Sequence, residues 1–104
     1  DPVTRSLDRV VDHLEHAAET IGVERLCFGG DFTSRLWKVM PPPPEPADGL
    51  MPPGLQPGIG LDGLDSSDGY PNLIAALARR GWSADDIEAV SSRNLLRFLR
   101  SSLP

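Results

Sequence analysis

Residues 26–32 read Leu26-Cys27-Phe28-Gly29-Gly30-Asp31-Phe32, a short apolar run that passes through two glycines and delivers a carboxylate at its end. In an extended chain, successive side chains alternate between two faces, so Leu26, Phe28 and Gly30 share one side and Cys27, Gly29 and Asp31 the other. The bulky side suits covering helices. The small side, with Asp31, suits a crowded interior that opens where the strand ends. Barrel enzymes carry their chemistry on such strand ends, which makes Asp31 the first candidate functional residue. A turn-capping role for the same carboxylate fits the spacing equally well. Cys27, flanked by Leu26 and Phe28, reads as a buried small side chain and not as a reactive thiol.

The flanking sequence is helical on both sides. Upstream, Leu7, Val10, Val11, Leu14, Ala17 and Ala18 recur at three- and four-residue steps, the apolar face of an amphipathic helix within residues 1–22, and Gly22 supplies its stop. The strand is expected over residues 25–32. Residues 33–69 form a Pro/Gly-rich loop, because eight of the eleven prolines lie between Pro41 and Pro57. A loop of that length is either an insertion draped over the surface or a flap over a site, and Trp37 and Met40 are the residues that favour a flap. Order returns over residues 70–104. Leu73, Ile74, Leu77 and Ala78 make one stripe, closed by Arg79-Arg80-Gly81. Ser83-Ala84-Asp85-Asp86 then has capping-box spacing and opens a helix through Ile87 and Val90. A final short helix is expected from about Asn94 to Ser101.

Bulk properties narrow the function classes. A chain of 104 residues with 39% hydrophobic content is about one small folded domain. A net charge of −5 argues against nucleic acid and against an anionic membrane as partners, since phosphate contacts need concentrated Lys and Arg. Arg93, Arg97 and Arg100 share a helical face but are too few for a phosphate track, so a solvated face is expected. The lone cysteine forms no internal disulfide. No apolar run approaches a membrane span, and no signal or lipid-anchor pattern is present, so a cytoplasmic address is the expectation.

One strand makes no sheet by itself, so its partners are expected outside this chain. Taken in order, several blocks resemble the C-terminal end of the renal or membrane dipeptidase family of zinc metallopeptidases. They are Val10-Val11-Asp12-His13-Leu14-Glu15-His16, Phe28-Gly29-Gly30-Asp31-Phe32, Gly63-Leu64-Asp65, Tyr70-Pro71-Asn72-Leu73, Ala76-Leu77-Ala78-Arg79-Arg80-Gly81-Trp82-Ser83 and Asn94-Leu95-Leu96-Arg97-Phe98. The resemblance departs from the family pattern where Thr33-Ser34 follows Asp31-Phe32 in place of Asp-Gly, and where Ser92-Arg93 stands in place of Gly-Gly.

The resemblance implies an α/β fold in which this chain is the C-terminal helix-strand-helix portion of a (β/α)8 TIM-type barrel of the amidohydrolase kind, residues 25–32 being its last strand. It also implies a hydrolase that cleaves dipeptides at two zinc ions whose ligands lie on earlier strands, so that this chain holds no metal ligand and is inactive alone. Asp31 matches the family's last-strand aspartate beside the metal-bridging water. Two zinc ions lower the pKa of such a water, and a nearby carboxylate can take its proton and pass it to the leaving amine. The partners implied are a dipeptide substrate and the remainder of the barrel, or self-association through the unpaired strand edge.

Other features have simpler accounts. His13 and His16, at i and i+3, fit helix packing and polar surface better than a metal site. Asp65, Asp68, Asp85, Asp86 and Glu88 lack the alternation of a calcium loop. The alternative to an enzyme is a small helical protein-interaction module over residues 71–99, with Leu77-Ala78-Arg79-Arg80-Gly81-Trp82 leading into a capped helix.

Overall fold

The computed structural model describes residues 5–33, 35–40 and 60–104, so the proline-rich stretch 41–59 lies outside the described residues. Helix α1 runs Leu7–Ile21. It starts where the Arg9 backbone N–H donates to Ser6 Oγ at 3.3 Å, satisfying one of the donors that a helix start leaves free. It ends at Gly22, whose φ of 89° only glycine adopts without strain, and whose N–H donates to Ala18 O at 2.9 Å.

A 3-10 turn, Val23–Arg25, follows. Arg25, expected to open the strand, therefore closes a helical turn instead. Residues 26–33 are in no regular element, and the described residues contain no β-ladder beyond one isolated bridge between Leu61 and Leu64. The reason is physical: the run packs on the helical layer through Leu26 and Phe28, and a helix has no row of free N–H and C=O groups with which to complete a ladder. Phe28 N–H ties it to that layer, donating to Val90 O at 3.3 Å.

Within residues 33–69, expected to be loop, a four-residue helix α2 spans Leu36–Val39 and a 3-10 turn spans Ser67–Gly69. Met40, which favoured a flap, is exposed. Helix α3, Tyr70–Arg79, carries Pro71 in its first turn, where a missing N–H costs nothing. Gly81, at φ 90°, reverses the chain, and Trp82 N–H returns to Leu77 O at 3.1 Å.

Ser83 caps α4, Ala84–Glu88, accepting from Asp86 N–H at 3.1 Å as the capping spacing requires. The final helix is not separate. A π turn, Ala89–Arg93, joins α4 to α5, Asn94–Ser102, through residues that all keep helical angles. The extra residue of a π turn shifts the following helix by one position, so a spacing of eight residues takes the place that seven holds in an unbroken α-helix. Asp85 and Arg93 accordingly share a face: Arg93 Nη1 and Nη2 donate to Asp85 Oδ1 and Oδ2 at 2.9 and 3.0 Å.

The core is small and shared. Val11 of α1, Leu73, Ala76 and Leu77 of α3, and Val90 of the π turn are buried against one another, with Leu26, Phe28, Tyr70, Trp82 and Ile87 packed around them. Val11 is fully buried in the same cluster, so α1 and residues 71–99 share one core. Arg80 ties the two helices outside the core, donating to Asp12 Oδ1 at 2.9 Å and to Glu15 Oε2 at 2.6 Å.

Candidate functional site

The faces of the 26–33 run divide as alternation requires. Leu26 and Phe28 turn onto the helical core, and the Phe28 ring stacks on Tyr70 with centroids 5.9 Å apart and planes 10° apart. On the other side Cys27, expected to be buried, is an exposed thiol. Gly29 and Asp31 on the same side are also exposed.

Asp31 is the one non-glycine among the described residues with positive φ, at 42°. Aspartate tolerates that region better than most side chains, yet its occupation is a local cost that neighbouring contacts must hold in place. They do so from both flanks. Phe28 stacks on Tyr70, and Phe32 meets the same ring edge-on at 5.5 Å and 70°. Phe32 also folds over Gly30, where an added Cβ would stand 2.2 Å from the ring. A side chain at Gly30 would have to displace the Phe32 ring, whereas a Cβ at Gly29 would meet nothing within 4 Å. That free space lies on the side of Cys27 and Asp31.

Asp31 lines a depression of about 360 Å3 between the 29–33 run and the turn that contains Leu61 and Leu64. The far wall is built by backbone. Gly63 takes φ 78°, Leu64 N–H donates to Leu61 O at 2.9 Å, and Asn72 Nδ2 donates to Gly63 O at 2.9 Å, fixing the turn to the start of α3. Gly69 lets that turn approach, since a Cβ there would lie 2.4 Å from Gly63 O and 2.7 Å from Leu64 Cα. Leu64 and Asp65 thus line the depression that Asp31 borders, and Asn72 ties their turn to α3.

The histidines contribute nothing to this place. His13 and His16 lie on α1, both exposed, and among the described residues no group of three or more His, Cys, Asp or Glu side chains comes together. A divalent metal needs such a donor set, so the described residues do not fit a zinc site. Two ion pairs perturb acids away from the depression. The hydrogen bond from Arg80 holds the Asp12 carboxyl below its ordinary range, and that from Arg93 does the same to Asp85. No described helix is long and apolar enough to cross a membrane.

Three residues that matter here stood in blocks of the resemblance but were not singled out as site residues. Tyr70 supplies the ring that brackets Asp31, and Asn72 fixes the opposite wall. Asn94 is buried, and its Nδ2 donates to Val23 O and Leu26 O at 2.8 and 2.9 Å. The available signal was a lone asparagine at the head of the otherwise apolar Leu95-Leu96-Arg97-Phe98 segment, since a polar side chain in such company is kept for its hydrogen bonds.

Comparison with known proteins finds relatives along most of the chain. The family model described as membrane dipeptidase, peptidase family M19, matches residues 55–102, which include the turn, α3 and the helix through α5. Dipeptidase tcpJ of Claviceps purpurea is 33% identical over 100 residues, 96% of this chain and 18% of the relative. Dipeptidase ataJ of Aspergillus terreus is 33% identical over 100 residues, 96% of this chain and 19% of the relative. Dipeptidase 3 of Rattus norvegicus is 30% identical over 95 residues, 91% of this chain and 15% of the relative. The chain thus spans less than a fifth of the length of these relatives. No solved structure matches it. The aligned stretch takes in the Asp31 run as well as its helical support, and by these matches the chain belongs to the membrane dipeptidase family.

Proposed function

We propose that this chain is the C-terminal part of a zinc-dependent dipeptidase, that residues 26–32 are the last strand of its (β/α)8 barrel, and that Asp31 handles the proton of the hydrolytic water. The observation that carries the proposal is the one-sided cover of the run: Phe28 is stacked on the helical layer while Cys27, Gly29 and Asp31 are bare. A barrel strand has that character, with one side on its helices and the other on the barrel interior. The chain's share of its relatives, 18% of dipeptidase tcpJ, leaves room for the remaining strands upstream.

In this reading residues elsewhere in the enzyme would hold the metal ions, whose chemistry would be to activate a water. Asp31 accepts that water's proton on its carboxylate and returns it to the departing amine. The left-handed turn at Asp31 is held by Phe28 and Phe32 on Tyr70, so the carboxylate is placed by packed rings and not by a loose loop. The 104-residue chain alone is inactive, because it brings one strand of eight and no metal-binding cluster among its described residues.

Asp31→Asn in the complete enzyme tests the role. It keeps the shape and the tolerance for positive φ while removing the base. A loss of about 10²- to 10⁴-fold in kcat on a dipeptide, with zinc content unchanged, is expected. Wild-type kcat in that variant overturns the assignment, and zinc-stimulated dipeptide hydrolysis by the purified 104-residue chain overturns the claim of inactivity.

A further inference from the structure

Asn94 is the only polar side chain buried among the described residues. Its two amide hydrogens are both used, on Val23 O at 2.8 Å and Leu26 O at 2.9 Å, about seventy residues earlier in the chain. Its Oδ1 is buried without a partner. An amide is retained in an apolar setting with an idle acceptor when its donors do something a hydrocarbon cannot, and here they grip the last turn before the Asp31 run.

The backbone of the same residue contributes a second hold. In an unbroken α-helix the Asn94 N–H would donate to Val90 O, four residues back. In the π turn it donates to Ala89 O, five back. Val90 O instead accepts from Phe28 N–H at 3.3 Å, a backbone bond that ties the run to the helix. The π turn thus turns a carbonyl outward, and the Asn94 side chain fixes the segment that this carbonyl meets. The ion pair of Asp85 and Arg93 spans the π turn and holds its register.

We infer that Asn94, with the π turn it closes, is a positioning residue for Asp31: its side chain holds Val23 and Leu26, the carbonyl that the π turn frees at Val90 holds Phe28, and Asp31 follows three residues later in the same run. The inference rests on the reading of Asp31 as the proton-transfer group. Asn94 touches neither substrate nor metal and acts through the backbone that carries the carboxylate.

Two measurements on two variants test it. Asn94→Asp keeps the shape and loses both donors, and Asn94→Ser is a neutral second variant in case the carboxylate prevents folding. In the 104-residue chain, amide hydrogen exchange at Phe28 should speed up about tenfold or more in either variant while Leu77, in the core of α3, stays protected. Unchanged exchange at Phe28 overturns the inference, whatever Asp31 does. In the complete dipeptidase, measured per mole of folded enzyme, kcat should fall about 10²-fold with KM for the dipeptide nearly unchanged. In an Asp31→Asn background the same substitution should cause no further loss of kcat. A kcat equal to wild type, or an equal further loss in the Asp31→Asn background, overturns positioning and leaves Asn94 a purely structural residue. Full activity of Asp31→Asn alone is a separate outcome: it removes the catalytic reading of Asp31 and positioning with it, while the exchange result still decides the clamp.

Discussion

Substituting Gly69 by alanine sets two effects of opposite sign against each other, and the geometry decides between them. Gly69 has φ −84° and ψ −10°, a conformation open to any residue. With no backbone strain to introduce, alanine restricts the unfolded chain and contributes about 0.4–1 kcal/mol of stability. Against that, its Cβ would stand 2.4 Å from Gly63 O and 2.7 Å from Leu64 Cα. Both are backbone atoms of a turn held by Asn72 and by the Leu64-to-Leu61 bond, so neither yields as the tip of a side chain would. Forcing one extra carbon into such a contact costs about 1–3 kcal/mol. The net expectation is a loss of about 0.5–2 kcal/mol. Urea unfolding followed by Trp82 fluorescence reads it as a lower midpoint with unchanged slope. Gly29→Ala is the control, since its Cβ meets nothing within 4 Å. If Gly69→Ala leaves the midpoint unchanged or raises it, the turn is not seated on α3 as described, and the far wall of the Asp31 depression loses its support.

Two further outcomes follow from the helical layer. Arg80→Met removes the donor that bridges Asp12 and Glu15, so thermal stability should fall, and fall less in high salt because the pair is partly exposed. The pH dependence has a definite sign. Asp12 is held below its ordinary 3.8 by the Arg80 hydrogen bond, so its contribution is complete above that value and is lost as the pH drops through it towards the depressed folded value. A thermal shift as large at pH 2 as at pH 7 contradicts that account. Trimming the chain to residues 71–104 should abolish cooperative unfolding, because Val11 of α1 leaves the cluster that buries Leu77 and Val90. A stable trimmed piece would instead favour a free-standing helical module.

Much of the scaffold was legible residue by residue. The three- and four-residue spacing of Leu7, Val10, Val11 and Leu14, the stop at Gly22, the Ser83 cap and the stripe of Leu73 and Leu77 all depend on local periodicity and capping, which are written in neighbouring residues. Asp31 was identifiable as a candidate because a carboxylate after an apolar run is conspicuous. Its left-handed backbone was not, since positive φ at a non-glycine is imposed by contacts from outside the segment. The expected strand pairs with nothing among the described residues for a related reason: pairing is a property of two segments, and alternation in one says nothing about where the other lies.

The sequence by itself determined α1, α3, α4 and α5, their boundaries to within a few residues, the candidate carboxylate and a resemblance to dipeptidases that the comparisons confirm at the level of family. Only the tertiary structure decided that α4 and α5 are one helix bent through a π turn, that Asn94 reaches back to Val23 and Leu26, and that Cys27 lies bare. These depend on hydrogen bonds between residues about seventy positions apart, or on how much of a side chain the fold covers. Periodicity reports which face of a segment is apolar; it cannot report what, if anything, has come to lie against it.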